Sequence, residues 1–115
     1  MTIKTEEIVT YAREMLQAGS NCSEIELRNI INRSYYGAFL TARDKVGVDS
    51  QSGSVHGEVI DYFKKPNGKS RIANNLIFLK SKRHKADYEP HIDIQLQDAK
   101  DCVNRAYKVL VDLSE

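Results

Sequence analysis

The chain has no tryptophan, and only two prolines, two cysteines and two methionines among its 115 residues. Cys22 and Cys102 lie far apart and form no C-x-x-C pair, which removes the usual zinc and thiol-redox patterns. His56, His84 and His91 are scattered, without an H-E-x-x-H pair, so neither a metal site nor a cofactor is expected. No apolar run approaches the ~18 residues of a membrane span, and no membrane partner is expected. The start, Met1 to Glu7, lacks the apolar stretch of a signal peptide; a cytoplasmic location is the default expectation. No segment sustains β alternation. Pro66-Asn67-Gly68-Lys69-Ser70 ends like a phosphate-binding loop but lacks the first glycine and the preceding strand. No Gly-x-Ser-x-Gly elbow occurs.

What remains is helical periodicity. A chain of this length makes one domain, residues 1–115, with a modest core. Apolar residues Ile8, Tyr11, Ala12, Met15 and Leu16 predict a first helix from about Thr5 to Ala18, ended by Gly19. A long second helix is predicted from Ser23 to Val46, capped by Asn21 or Ser23 and stopped at Gly47. Its stripe is Leu27, Ile31, Tyr35, Ala38, Phe39, Ala42 and Val46, beside a row of small residues at Ser34, Gly37 or Ala38, and Thr41. Gly37 costs a helix interior about 1 kcal/mol relative to alanine, so a neighbour should approach closely there. After the Asp49–Ser54 loop, a short helix spans Val55 to Lys64 with Val59, Tyr62 and Phe63 apolar. Pro66-Asn67-Gly68 is a turn. A fourth helix runs from Ser70 to about Lys85 on Ile72, Leu76 and Leu79, flanked by Ala73 and Ile77. The last runs from about Ile94 to Leu113 on Ala99, Cys102, Val103, Ala106, Leu110 and Leu113, with Cys102 a core thiol. The expected fold is an all-α bundle of four to five helices.

The charge is distributed unevenly. Of 17 Lys and Arg, eight fall between Phe63 and Lys85, a stretch holding no Asp or Glu, which leaves nine against all 16 acids elsewhere. Such a segment reads either as a solvated helix face or as a surface that meets phosphates. Arg83 continues the apolar stripe 72, 76, 79, and so should leave the core at its edge. Asp87 follows one turn later, and the two read either as an ion pair closing the helix or as an arginine anchored for a phosphate. In the second helix Arg33 and Arg43 flank Tyr35-Tyr36. Adjacent tyrosines cannot face one core, so Tyr35 should be buried and Tyr36 amphipathic. Tyr36 and Arg33 then read either as ordinary surface or as a stacking ring and a phosphate contact.

Asn32-Arg33-Ser34-Tyr35-Tyr36-Gly37-Ala38-Phe39, His56 ahead of a helix ending in Phe63, and Arg83-x-x-Ala86-Asp87-Tyr88 occur in an order that resembles the HEPN superfamily (higher eukaryotes and prokaryotes nucleotide-binding), in its small stand-alone prokaryotic branch. The resemblance covers about Ile25 to Leu113. It implies a bundle that forms a homodimer through its long helices. It also implies binding of RNA or a nucleotide, a role in toxin–antitoxin or anti-phage defence, and in many members metal-independent RNase activity. A partner such as a nucleotidyltransferase or antitoxin is implied as well. The expected catalytic set is Arg83, Tyr88 and His56. The expected nucleic-acid contacts are Arg33, Tyr36, Lys80, Lys82, Arg83 and Lys85, with Asp87 as the structural partner of Arg83. RNase members carry Arg-x4–6-His, whereas the positions counted from Arg83 hold Tyr88, Glu89 and Pro90. RNA cleavage needs a base, an acid and a cation, so His56 or His91 would have to reach the cleft. The rival expectation is a non-catalytic interaction module, a regulatory or antitoxin-like partner of an enzyme.

Overall fold

A computed structural model of the chain describes residues 3–18, 22–47, 55–64 and 69–115. Among these residues there are five helices: α1 (Glu6–Ala18), α2 (Glu24–Val46), α3 (Val55–Lys64), α4 (Ser70–Tyr88) and α5 (Leu96–Leu113). Among the described residues there is no strand, and no helix is long and apolar enough to cross a membrane. The stop at Gly19, the alternative cap Asn21, the 49–54 loop and the 66–68 turn lie outside the described residues.

The ends of α2 follow from local chemistry. Ser23 caps it: its hydroxyl accepts the Glu26 N–H at 3.3 Å, while the Glu26 carboxylate accepts the Ser23 N–H at 3.1 Å. Gly47 ends it with φ 81°, a left-handed conformation that costs glycine little, and its N–H donates to the Arg43 carbonyl at 2.8 Å. The helix α4 runs a turn further than its apolar pattern, to Tyr88. The reason is Arg28 on α2, whose guanidinium donates to the carbonyls of Lys85, Ala86, Glu89, Pro90 and Ile92. The Ala86 carbonyl, which Pro90 cannot serve because its nitrogen carries no hydrogen, would otherwise need water. The helix α5 starts at Leu96, two residues later than its pattern, because the Asp98 carboxylate accepts the Gln95 N–H at 2.8 Å and fixes Gln95 as the cap.

The helix α2 packs against each of the other four. Its Leu27, Ile30, Ile31, Tyr35, Ala38, Phe39 and Ala42 are buried, together with Val59 and Phe63 of α3, Ile72, Leu76 and Leu79 of α4, and Ala99, Cys102, Val103, Ala106 and Val109 of α5. Burial pushes the Cys102 thiol up to about 12, so it serves as apolar filling. The helix α1 is rotated relative to the stripe read from its sequence. Val9 and Ala12 are its buried residues, while Tyr11 is exposed. Gly37 explains the rotation. A Cβ built there would lie 2.5 Å from Val9 Cγ2 and 2.9 Å from the Val9 backbone nitrogen, so Val9 fills the notch. Thr41 continues the contact, its hydroxyl donating to that of Thr5 at 2.8 Å. Two positions of the small-residue row, Gly37 and Thr41, are therefore occupied by α1 of the same chain. Ile77, placed beside the core by pattern, is exposed, as is Tyr62.

Candidate anion-binding site

Three helices bring one group of polar and aromatic side chains together. On α2, Asn32, Tyr35 and Tyr36 stand three and four residues apart and share a face. On α4, Asp87 and Tyr88 follow Arg83 by four and five residues, and α3 contributes His56 from its first turn. The Arg83 guanidinium carbon lies 5.3 Å from the centre of the Tyr35 ring, 5.4 Å from that of Tyr36 and 5.8 Å from that of Tyr88. All three are within reach of a cation–π attraction. The Arg83 side chain is only 12% exposed, and one nitrogen lies 3.6 Å from Asp87 Oδ2. That carboxylate oxygen also accepts from the Asn32 amide at 2.9 Å, which ties it to α2. The Nε of Arg83 is buried and has no hydrogen-bond partner.

Tyr35 is fully buried and Tyr36 half-buried, as their adjacency requires. Burial holds the Tyr35 phenol well above its ordinary value, against the opposing pull of Arg83, so its hydroxyl stays protonated. That hydroxyl shares a short hydrogen bond with His56 Nδ1. The imidazole stacks on Phe39, with centroids 4.2 Å apart and planes 12° from parallel. Burial, then the positive charges of Lys80 and Arg83, lower the pKa of His56. His56 is therefore neutral at pH 7, and with Nδ1 engaged, Nε2 is the nitrogen left to meet another group. Tyr88 is 63% exposed, and its ring leans on that of His84 at 5.2 Å.

The expected basic residues do not share one surface. Arg33 and Tyr36 line a groove of about 730 Å³ between α1 and α2, with Ile3, Ile8, Tyr11 and Leu40. Lys80 and Lys85 line another, of about 690 Å³, between α3 and α4. Lys82 turns toward α5 and pairs with Asp98 at 3.0 Å. A run of cations in sequence is spread around a helix at ~100° per residue, so continuity in sequence did not become continuity in space. His91 is exposed in the connection between α4 and α5.

Asn32, the residue that tethers Asp87, opens the α2 motif but was given no role of its own from sequence, although its position three residues before Tyr35 puts it on the same face. Arg28 was also missed, because nothing local marks an arginine that caps a helix 57 residues away. Among the described residues no three His, Cys, Asp or Glu converge as metal ligands. An arginine held by rings on several sides, weakly paired and keeping an unfilled donor, suits an anion. Flanking phenol rings suit a planar group beside that anion. No family model, no curated protein and no solved structure matches this chain.

Proposed function

We propose that the chain binds RNA or a nucleotide at the Arg83 cluster, as a HEPN-like protein working as a homodimer in toxin–antitoxin or anti-phage defence. The observation that carries this reading is Arg83 itself, a cation collared by Tyr35, Tyr36 and Tyr88 with a buried Nε left unpaired. Its ion pair with Asp87 is long, at 3.6 Å, so a phosphate can compete for the guanidinium at modest cost. Tyr88, largely exposed, offers a face on which a base can stack, an interaction of about 1–3 kcal/mol.

In cleavage the 2′-oxygen would bond to phosphorus while the bond to the 5′-oxygen breaks. The 2′ proton passes to a base, and the 5′-oxygen receives one from an acid. Arg83 would stabilise the charge on phosphorus, and His56, neutral and in the same cluster, would take part in the proton transfer. Gel-shift assays with single-stranded RNA in chelator test both halves. Binding should weaken at least about tenfold in Arg83→Gln and less in Tyr88→Ala, and undiminished binding in both variants would contradict the reading. Products ending in a 2′,3′-cyclic phosphate that disappear in Arg83→Gln and His56→Gln would make the protein an RNase.

A second reading, a non-catalytic interaction module, is favoured by the α1–α2 groove. Ile3 and Tyr11 are 67% and 55% exposed there, which is unusual for side chains of that size at a groove wall. An enzyme partner docked on this groove would protect Tyr11 from surface labelling.

A further inference from the structure

A third groove, of about 540 Å³, lies between α4 and α5, on a different side of α4 from the Arg83 cluster. Its walls carry Arg71, Asn74, Asn75, Arg105, Lys108 and Asp112. Three cations stand against one acid, in a protein whose whole net charge is +1. Arg71 donates to Asp112 Oδ1 at 3.0 Å, so that pair balances and Arg105 and Lys108 carry the net charge.

Arg105 is held in a fixed pose. Its guanidinium lies 4.3 Å from the centre of the Phe78 ring, and its NH1 donates to Asn75 Oδ1 at 2.9 Å. Asn75 is itself buried, on a helix face where a polar amide has to be hydrogen-bonded to be tolerated. A guanidinium clamped by a ring below and an amide at one end loses little freedom when it meets a ligand. Lys108 lies one turn before Asp112 on the same wall and adds a mobile point charge. The groove is within the size range of small-molecule sites.

We infer that the α4–α5 groove is a second anion site, built to take a phosphate group, with Arg105 as the fixed fork and Lys108 and Arg71 as the outer cations. The phosphate can belong to a small phosphorylated molecule or to a polynucleotide backbone. In either case the site is independent of Arg83, because its cations project from α4 and α5 toward each other, whereas Arg83 projects toward α2.

Inorganic pyrophosphate and an eight-nucleotide single-stranded RNA, each titrated into the isotopically labelled protein, test this. Pyrophosphate should shift the backbone amide resonances of Asn74, Arg105 and Lys108 in a saturable way. Lys108→Glu, at an exposed position, should weaken the response at least tenfold with the helical spectrum unchanged, and Arg105→Gln should do the same. Arg83→Gln should leave it as it is. A response to pyrophosphate and RNA alike supports a general phosphate site, and a response to RNA alone supports a backbone site. No saturable shift with either probe, or a response abolished by Arg83→Gln but kept in Lys108→Glu, would overturn the inference.

Discussion

Arg83 and His56 show how much a single side chain takes from its surroundings. The sequence placed Arg83 at the margin of a core and paired it with Asp87, and both features are present. It did not reveal that three phenol rings collar the guanidinium, since those rings come from two helices whose crossing is set by packing. Nor could it show that His56 meets the Tyr35 hydroxyl 21 residues away in sequence. The lowered pKa of His56, caused by burial and then by Lys80 and Arg83, has a defined thermodynamic sign. The unfolded chain binds a proton near pH 6.5, the folded one only at lower pH, so stability is present in full above that value and is lost as pH falls below it. Thermal midpoints measured from pH 7.5 down to 5.5 should therefore decline, and His56→Gln should flatten the decline. An unchanged slope in the variant would show that His56 does not carry the effect.

The pairing of α1 with α2 turns on Gly37, and that of α2 with α4 on Arg28. The helical periods gave every element and most boundaries, because caps such as Ser23 and Gly47 are written locally. They misjudged the rotation of α1 and the length of α4, because both depend on contacts made across the fold. At Gly37 two effects oppose each other. Alanine would gain about 1 kcal/mol of helix propensity, but its Cβ would meet Val9, backbone included, at 2.5–2.9 Å. Overpacking of this kind costs about 1–3 kcal/mol, and the immovable backbone atom puts the outcome at the upper end. Gly37→Ala should therefore lower stability in denaturant titrations, and a gain would refute the close approach. Arg28 is the other test. Its side chain is mostly buried and donates to five carbonyls at the end of α4. Charge-assisted bonds of this type contribute about 1.5–3 kcal/mol, so Arg28→Ala should destabilise by roughly that much. Hydrogen exchange should accelerate first between Lys85 and Glu89, where the last turn loses its support.

The molecule as a whole carries its positive charge in separate places. Lys82 and Arg71 are paired with acids of α5, and Lys80 and Lys85 face α3. The eight-cation segment is thus divided among several surfaces, and only the cations near Arg83 can meet one strand of RNA. If a strand runs from the Arg83 cluster into the α3–α4 groove, so that Arg83, Lys80 and Lys85 each neutralise one phosphate, the logarithm of affinity should fall with the logarithm of salt at a slope of about −2, by the rule of about −0.7 per phosphate contact on single strands. The dimer proposed by resemblance finds Gly37 and Thr41 of α2 already covered by α1. Sedimentation at micromolar concentration should still show a dimer if the α1–α2 groove, with its exposed Ile3 and Tyr11, is the contact surface, and a monomer would remove that part of the proposal. The central claim concerns the Arg83 cluster, and fluorescence anisotropy of a labelled single-stranded RNA at several salt concentrations measures it most directly. The account predicts that Arg83→Gln, with native circular dichroism, binds at least about tenfold more weakly, a loss of about 1.4 kcal/mol, and that its salt slope shrinks by about 0.7. Equal affinity and equal slope in the wild type and the variant would contradict it.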